Sequence, residues 1–568
     1  MPDQRHYQQQ SQHDGDGIGN ATANERSSLL LREVSSTESQ YSSLGGPATP
    51  ICSPMTPAFE RRGRPGSRKR PRKLQGRAAL NINLLTALNG PASFAIPWAF
   101  QEAGLAAGVI GVVLVALFSY FTLWFLIRCK RHLSASGSGD AGAARGLKQQ
   151  EESGDDGGAD KGKHPAMAVL APTPLPPSQQ QQQQLRRWRG LQDNDGLQQL
   201  TYAEIAALSL GAPASSLVKA ATCISCLGAC AAYATFIAGM LTQLFPVWEE
   251  GEVLCGLLPI FVLLSWVRGF RRLSFFNVGG NLSLVVGVLA IFYDGFTRLA
   301  ASSSASSPPS SPVIPPPSSS SPSFLEARGI HLLQPQTLFL FFGPTAFLFV
   351  IHYCAVPIES EAEYPEDFTQ ALGLSMALTA MLDIAVGSAG YIFYGGTSPL
   401  VRNPAGQVVA GCERPVCDNV LKNIEAGPLK TIIFAAFSLN LTLTYIIMLA
   451  PPREYLEEIV VGSDSLLPTK WQRNILRSLL VTFTFVVAST IHQFGLITAF
   501  VGAITDTLQG FILPPLIYAA TFAACVSKCE KMLLWAMSGL GVVLMFTATS
   551  QNVGELKRLV LDNINQKF

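Results

Sequence analysis

The chain has 568 residues, of which 48% are hydrophobic and only 14% charged, and its net charge is +2. Soluble domains carry about a quarter charged residues. Here the charges are concentrated in tails and loops, and long runs are almost free of them. This distribution excludes an ordinary soluble enzyme and predicts an all-α polytopic membrane protein.

Residues 1–77 predict a disordered cytoplasmic tail, because Gln, Ser, Asp and Gly dominate its start. Its basic end, "RRGRPGSRKRPRKLQGR" at 61–77, predicts a cytoplasmic location and would also permit contact with anionic lipid head groups. A nucleic-acid partner is not expected for a tail tethered to a membrane.

The tail also contains "ERSSLL", from Glu25 to Leu30. An acidic residue ahead of a leucine pair has the form of a sorting signal read by clathrin adaptors. We therefore expect a vacuolar or lysosomal membrane rather than the plasma membrane.

Eleven apolar runs follow, each long enough or nearly long enough to cross a hydrocarbon core of about 30 Å. They lie near 78–100, 104–127, 214–245, 253–267, 274–297, 337–357, 369–395, 429–450, 474–491, 495–520 and 531–550. We predict a transmembrane domain at 78–550 and a short C-terminal tail at 551–568. Two low-complexity segments predict disordered insertions, a cytoplasmic one at 134–198 and an extracellular or lumenal one at 299–334.

Lys and Arg in the short loops predict the orientation. Span 2 ends in "RCKRH" at 128–132 and span 4 in "RGFRR" at 268–272, which places both ends in the cytoplasm. With eleven spans, the C-terminus is then predicted on the opposite side.

Span 1 contains helix-breaking residues at its centre, in "NGPASFAIP" from Asn89 to Pro97. Proline removes a backbone donor and clashes with the preceding turn, so this span should open. Freed backbone groups are costly in hydrocarbon unless they line a cavity or meet a ligand. A simple kink repacked by its neighbours is the alternative from span 1 alone.

Span 6 contains Gly343-Pro344 and then Pro357. Interrupted helices at matching positions of two five-helix halves indicate an inverted repeat with a substrate site near the membrane midplane. The ends of half-helices offer free amides to a carboxylate, and free carbonyls to an ammonium group or Na⁺. An α-amino acid carries both charges and fits such a site.

Four stretches resemble the amino acid/auxin permease family, and its proton-coupled and vacuolar branches most. They are "LNINLLTALNGPASFAIPWAFQEAGLAAGVIGVV", "TYAEIAALSLG", "FFGPTAFLFVIHYCAVPIESEAEYPEDFTQAL" and "FGLITAFVGAITDTLQGFILPPLIY". The resemblance implies eleven transmembrane helices in the leucine-transporter-type fold, a 5+5 inverted repeat plus one extra helix. It further implies a secondary active amino acid transporter, a symporter with alternating access at spans 1 and 6, for which small neutral amino acids are the expected substrates.

The chain departs from the family pattern at Val350 and Ile351, where many members have an acidic residue and a glycine. This leaves the coupling ion and the substrate open. The residues that we expect to bind substrate, all beside the two breaks, are Asn89, Gly90, Ala92, Ser93, Gly343, Thr345 and Phe347.

Ionisable residues inside a membrane are functional hypotheses by default, and His352, Asp383 and Asp506 fall within spans. His352 and Asp383 are predicted to couple protons. The structural alternatives are a neutral histidine bonded to a backbone carbonyl and a carboxyl that faces a water-filled vestibule. A sodium site would use Ser438 and Thr442, although such hydroxyls often bond to their own helix. We favour H⁺ over Na⁺ and expect no other cofactor and no metal site.

Cys255, Cys412 and Cys417 fall on the non-cytoplasmic side of this topology. The resemblance to proton-coupled carriers implies a disulfide from Cys255 to either Cys412 or Cys417.

The sequence contains no phosphate-binding loop, no HExxH motif and no nucleophile elbow in context. We therefore predict that the protein is not an enzyme. The alternatives to a proton-coupled carrier are sodium-coupled transport and an amino acid sensor that signals through its cytoplasmic segments. Auxin-like and amine substrates also stay open.

Overall fold

A computed structural model describes residues 76–151, 200–267, 274–304, 325, 328–396, 412, 414–461 and 470–567. No β-strand occurs in these ranges. The sorting motif, nearly all of the predicted tail and most of both low-complexity insertions lie outside the described residues.

The α-helices of the described residues are numbered in chain order. In order they are α1 (Arg77–Leu88), α2 (Ile96–Ala103), α3 (Leu105–Glu151), α4 (Tyr202–Leu210), α5 (Ala212–Leu244), α6 (Glu250–Trp266), α7 (Ser274–Ser304), α8 (Phe342–Phe349), α9 (His352–Glu361), α10 (Phe368–Tyr394), α11 (Pro428–Met448), α12 (Ala450–Val461), α13 (Lys470–Thr490), α14 (Phe494–Val501), α15 (Leu513–Thr521) and α16 (Lys528–Lys567).

Eight helical stretches of the described residues are long and apolar enough to cross a membrane. They are Leu105–Ala135, Ala212–Leu244, Asn281–Ala301, Leu338–Glu361, Pro365–Tyr394, Pro428–Glu457, Phe494–Thr521 and Lys528–Asp562. The chain is therefore a multi-pass membrane protein. The other three predicted spans coincide with α1 and α2, with α6 and with α13, which do not meet the same measure of length and hydropathy.

Several predicted boundaries differ from the structure. α3 continues to Glu151, so the start of the cytoplasmic insertion is helical, and α7 continues to Ser304 into the second insertion. The end of that insertion is ordered, because the His331 carbonyl accepts a hydrogen bond from the Leu105 amide at 2.9 Å. The segment predicted as a C-terminal tail belongs to α16, which ends at Lys567.

Burial separates the inner helices from the outer ones. In α5 and in the pair α14–α15, 78% and 83% of the most apolar stretch is buried, whereas only 22% is buried in α16. The inner helices approach closely through glycines. A Cβ on Gly343 would lie 2.2 Å from the Ala499 carbonyl oxygen, so α8 and α14 pack backbone to backbone.

Two π-helical segments, Gly502–Asp506 and Leu508–Ile512, join α14 to α15. The Thr507 hydroxyl donates to the Gly502 carbonyl at 2.7 Å, five residues back. Such wide turns shift the side chains that follow relative to a regular helix and are frequent at functional sites.

Candidate functional site

Span 1 is interrupted at its centre. α1 ends at Leu88, and the next two residues are extended, with φ/ψ of −88°/110° at Asn89 and −135°/−175° at Gly90. Pro91 then begins a short 3-10 turn, and Pro97 lies in the first turn of α2. A missing N–H costs no hydrogen bond at the start of a helical segment. The predicted break in span 1 is confirmed.

Span 6 is interrupted as well, but not where the sequence predicted. Val350 and Ile351 lie between α8 and α9, with φ/ψ of −90°/84° and −100°/22°. The prediction of a break at Gly343-Pro344 is wrong, because both residues lie in the first turn of α8. A proline is tolerated there, and the glycine serves the close contact with α14.

A cavity of about 50 Å³ lies between the two interruptions. Gly90, Pro91 and Ala92 line it from span 1, and Phe347 and Ile351 line it from span 6. Residues of α5, the end of α11 and the first π-helical segment complete the lining. Residues of both breaks thus line one shared space.

Three of the predicted substrate residues, Gly90, Ala92 and Phe347, line this cavity. A Cβ on Gly90 would meet no atom within 4 Å, so the backbone of the first break is open to any ligand that enters. Asn89 adjoins the cavity-lining Gly90, and its buried Oδ1 atom has no hydrogen-bond partner. Ser93 is fully buried outside the lining.

The structure does not bring Gly343 and Thr345 to the cavity. Gly343 packs against α14, and the Thr345 hydroxyl donates to the Phe341 carbonyl of its own helix at 2.9 Å. Neither residue belongs to the cavity lining.

The cavity also contains a carboxyl group, that of Asp506, on the first π-helical segment. The Ser225 hydroxyl of α5 donates to Asp506 Oδ1 at 2.7 Å. The sequence identified Asp506 as an intramembrane acid but not as part of the site, and it missed Ser225 and Tyr233. The available signal was a row of small and polar residues at helical spacing along α5.

The family model described as "Transmembrane amino acid transporter protein" matches residues 77–143, 183–401 and 412–553. The chain belongs to this family.

Curated relatives come from Arabidopsis thaliana. Amino acid transporter AVT3A is 25% identical over 201 residues, which are 35% of this chain and 41% of that protein. Amino acid transporter AVT1D is 21% identical over 394 residues, which are 66% of this chain and 62% of that protein. The match thus spans less than two thirds of either relative. Among solved structures, a crystal structure of a manganese transporter from Eremococcus coleocola shares 10% identity, covers 85% of this chain and 94% of that chain, and gives a TM-score of 0.36.

Asp383 lies on α10, outside the lining of the cavity. It is fully buried, and among the described residues neither carboxyl oxygen has a hydrogen-bond partner. Ser93, from the 3-10 turn of span 1, lies near this carboxyl group. Ser375 and Thr379 precede Asp383 on α10 by two turns and by one turn. Both are fully buried, and among the described residues their hydroxyl groups have no hydrogen-bond partner.

His352 is the first residue of α9, directly after the break in span 6. Its Nε2 lies 3.0 Å from the Thr122 hydroxyl of α3, while its Nδ1 is buried without a partner. The Thr122 hydroxyl is within donating distance of the Phe118 carbonyl of its own helix, 3.0 Å away. With the Thr122 hydroxyl donating to that carbonyl, Nε2 of His352 carries a proton and donates to the hydroxyl. The partner of His352 is thus a side-chain hydroxyl, whereas the structural alternative had a backbone carbonyl.

The predicted sodium ligands differ from each other. The Ser438 hydroxyl is buried without a partner, whereas the Thr442 hydroxyl donates to the Ser438 carbonyl of its own helix at 2.7 Å. Thr442 therefore follows the structural alternative that applies to hydroxyls within a helix.

The predicted disulfide is wrong. Cys412 and Cys417 are bonded to each other, and Cys255 is a free, exposed thiol on α6. The pairing of these cysteines depends on the path of the loop before α11, which the sequence pattern did not reveal.

That loop places a carboxylate at the start of α14. Asp418 is fully buried, and its Oδ2 accepts a hydrogen bond from the Gly495 amide at 3.3 Å. Burial raises the pKa of Asp418, and the ammonium group of Lys422 and the Gly495 amide oppose this rise. The contact joins the loop to one of the innermost helices.

Ion pairs hold the second half of each interrupted span near its C-terminal end. Near the end of α2, the buried Glu102 pairs with Arg414, which also contacts Glu555 of α16 at 3.1 Å. Near the end of α9, Glu359 pairs with Lys130 of α3 at 2.6 Å. Breaking one partner of a buried pair is strongly destabilising, so both pairs restrain the half-helices that they hold.

Proposed function

We propose that the protein is a secondary active transporter of amino acids that binds its substrate between the breaks of spans 1 and 6 and works by alternating access. The observation that supports this proposal most is the cavity between the two interruptions, lined by residues of both. Family membership supports it independently.

The chemistry of helix ends suits a zwitterion. Ala87 and Leu88 end α1 at the cavity, so their side of the site carries the negative end of a helix dipole. The segments that begin after the breaks contribute amides, which attract a carboxylate. An amino acid therefore finds a partner for each of its charges at the two breaks.

The proposed fold has eleven spans, of which the first ten form a 5+5 inverted repeat. The interrupted helices are the first span of each proposed half, as such a repeat requires. On this proposal, three further spans complete the set of eleven: one formed by α1 and α2 together, one by α6 and one by α13.

We propose H⁺ as the coupled ion, with Asp383 as its carrier. Asp383 is a buried acid for which the described residues provide no ion pair, and it lies beside Ser93 in the broken segment of span 1. Protonation would remove the cost of a buried charge, and movement of span 1 would change that cost. Thr442 is engaged with its own helix, which weighs against the sodium alternative.

We further propose a vacuolar or lysosomal membrane, small neutral amino acids as substrates and adaptor binding at the segment from Glu25 to Leu30. The vacuolar proposal rests on the sorting motif and on the resemblance to the vacuolar branch.

The test is uptake of labelled alanine into proteoliposomes with and without an inward pH gradient. We expect uptake that the proton gradient stimulates and that an imposed Na⁺ gradient does not. Uptake that is stimulated by the Na⁺ gradient alone would show that Na⁺, and not H⁺, is the coupled ion. Saturable binding without flux in either gradient would overturn the carrier proposal and favour the sensor.

A further inference from the structure

We propose that Asp506 is the group that recognises a cation in the substrate cavity, so that every ligand of this site must present a protonated amine to its carboxylate. This inference rests on the proposed transport function and narrows its substrate class. It makes the auxin-like acids, which carry a carboxylate and no amine, non-substrates.

The lining of the cavity contains one acid and no base. Asp506 is the only Asp or Glu among the described lining residues, and none of them is Lys, Arg or His. Tyr233 and Tyr353 contribute phenol groups, and the remaining lining is mainly apolar. The site therefore has an acidic side chain with no basic side chain beside it.

The hydrogen bonds of Asp506 leave one oxygen free for a ligand. The Ser225 and Thr505 hydroxyls lie 2.7 and 3.5 Å from Oδ1. Among the described residues, none donates a hydrogen bond to Oδ2. An ammonium group in the cavity would supply this oxygen with a donor and the carboxylate with a countercharge.

The carboxylate is also held in place. One turn before Ser225 on α5, the Thr222 hydroxyl donates to Gln509 Oε1 at 2.7 Å, and the Tyr202 hydroxyl donates to the Gln509 carbonyl at 2.7 Å. These bonds fix the register of the π-helical segments against α5. A fixed charge avoids the entropy that a mobile side chain would lose on binding.

The two helix ends that reach the cavity carry a partial charge of the same sign as the Asp506 carboxylate. The carbonyl end of α1 reaches the cavity at Ala87 and Leu88, and the end of α8 reaches it at Phe347 and Leu348. Both ends carry partial negative charge. Together with Asp506 they favour a cation in the space between them.

The experiment uses the full-length protein in proteoliposomes and needs no variant in its first arm. Uptake of labelled alanine is measured in competition with ethylamine, which lacks the carboxylate, with propionate, which lacks the amine, and with lysine. We expect ethylamine to compete and propionate not to compete. Stronger competition by lysine than by alanine would place a side-chain amine at Asp506, and equal competition would place the α-amine there. Effective competition by propionate alone would overturn the proposal.

The second arm compares Asp506→Asn, Asp506→Glu and, as a matched control, Asp562→Asn on the exposed end of α16. Asp506→Asn should weaken binding of alanine and ethylamine at least tenfold, Asp506→Glu should restore part of it, and Asp562→Asn should change it less than twofold. Binding is read from ligand-induced thermal stabilisation of the purified protein, which also reports folding. A wild-type protein that binds amines without transporting them would defeat the transport proposal alone, whereas unchanged binding in Asp506→Asn would defeat this one.

Discussion

The two interrupted spans reach the same cavity by different means. In span 1 the break falls on Asn89 and Gly90, directly before Pro91, which cannot continue a helix because its ring clashes with the preceding turn. In span 6 it falls on Val350 and Ile351, two β-branched residues that do not by themselves forbid a helix.

Packing explains the second break. A Cβ on Gly510 would lie 2.6 Å from a methyl group of Val350, so this side chain fits against the bare backbone of the second π-helical segment. Span 1 is thus broken by local sequence and span 6 by its neighbours. The difference predicts that substitutions at the two breaks affect stability and binding in different proportions.

The largest effect on stability is expected for Gly343→Ala. The new Cβ would lie 2.2 Å from the Ala499 carbonyl oxygen, and no flexible side chain can yield there. Overpacking of this kind costs about 1–3 kcal/mol or more. The thermal midpoint of the purified protein should fall by several degrees, as measured by fluorescence-detected size exclusion after heating.

Gly539→Ala is the control for Gly343→Ala. Gly539 lies in α16, and its Cβ would meet nothing within 4 Å. This change should leave the midpoint the same or slightly higher, because alanine favours a helix more than glycine does. Equal midpoints in the two variants would argue against the backbone contact between α8 and α14.

Gly90→Val should leave the protein folded and remove substrate binding. The space beside Gly90 is open, so the side chain would enter the cavity without displacing an atom. We expect uptake to fall at least tenfold, with Gly90→Ala between Val and wild type. Uptake kinetics and a thermal scan on the same samples separate binding from folding, and undiminished uptake by Gly90→Val would remove the first break from the site.

The variants Asp383→Asn and His352→Gln test whether the coupled proton is carried by Asp383 on α10 or by His352 in span 6. Asp383 lies near Ser93 of span 1, and His352 begins the second half of span 6. Asp383→Asn should abolish stimulation by a pH gradient while counterflow of labelled substrate continues, because the amide cannot be ionised. His352→Gln should retain the stimulation, since glutamine still donates a hydrogen bond to Thr122. The opposite pair of results would move the coupling to span 6.

Val350→Ala should give the smallest and most mixed effect. It removes two methyl groups from a buried contact, for which about 1–2 kcal/mol of stability is expected to be lost. The same side chain lines the cavity, so the Michaelis constant for uptake should rise a few-fold. Val481→Ala, at a fully buried position of α13, should lose similar stability without the change in uptake. An unchanged Michaelis constant in Val350→Ala would show that packing at this break does not shape the site.

The sequence predicted what local chemistry determines. Gly90 and Pro91 located the first break, and the order of family motifs predicted the family. The second break was misplaced because Gly343 and Pro344 are used for a close contact and a helix start. Whether Asp506 reaches the cavity depends on π-helical turns and on a bond to Ser225, which no pattern in its own segment reveals. The Cys412–Cys417 bond likewise depends on a loop path.

The ion pairs of Arg414 give the end of α16 a practical importance. A chain cut after residue 550 would keep every apolar run predicted from the sequence but lose Glu555, and Arg414 would then have Glu102 as its remaining carboxylate. Purification tags and fluorescent fusions are therefore better attached beyond Lys567, through a flexible spacer, than in place of the last helical turns.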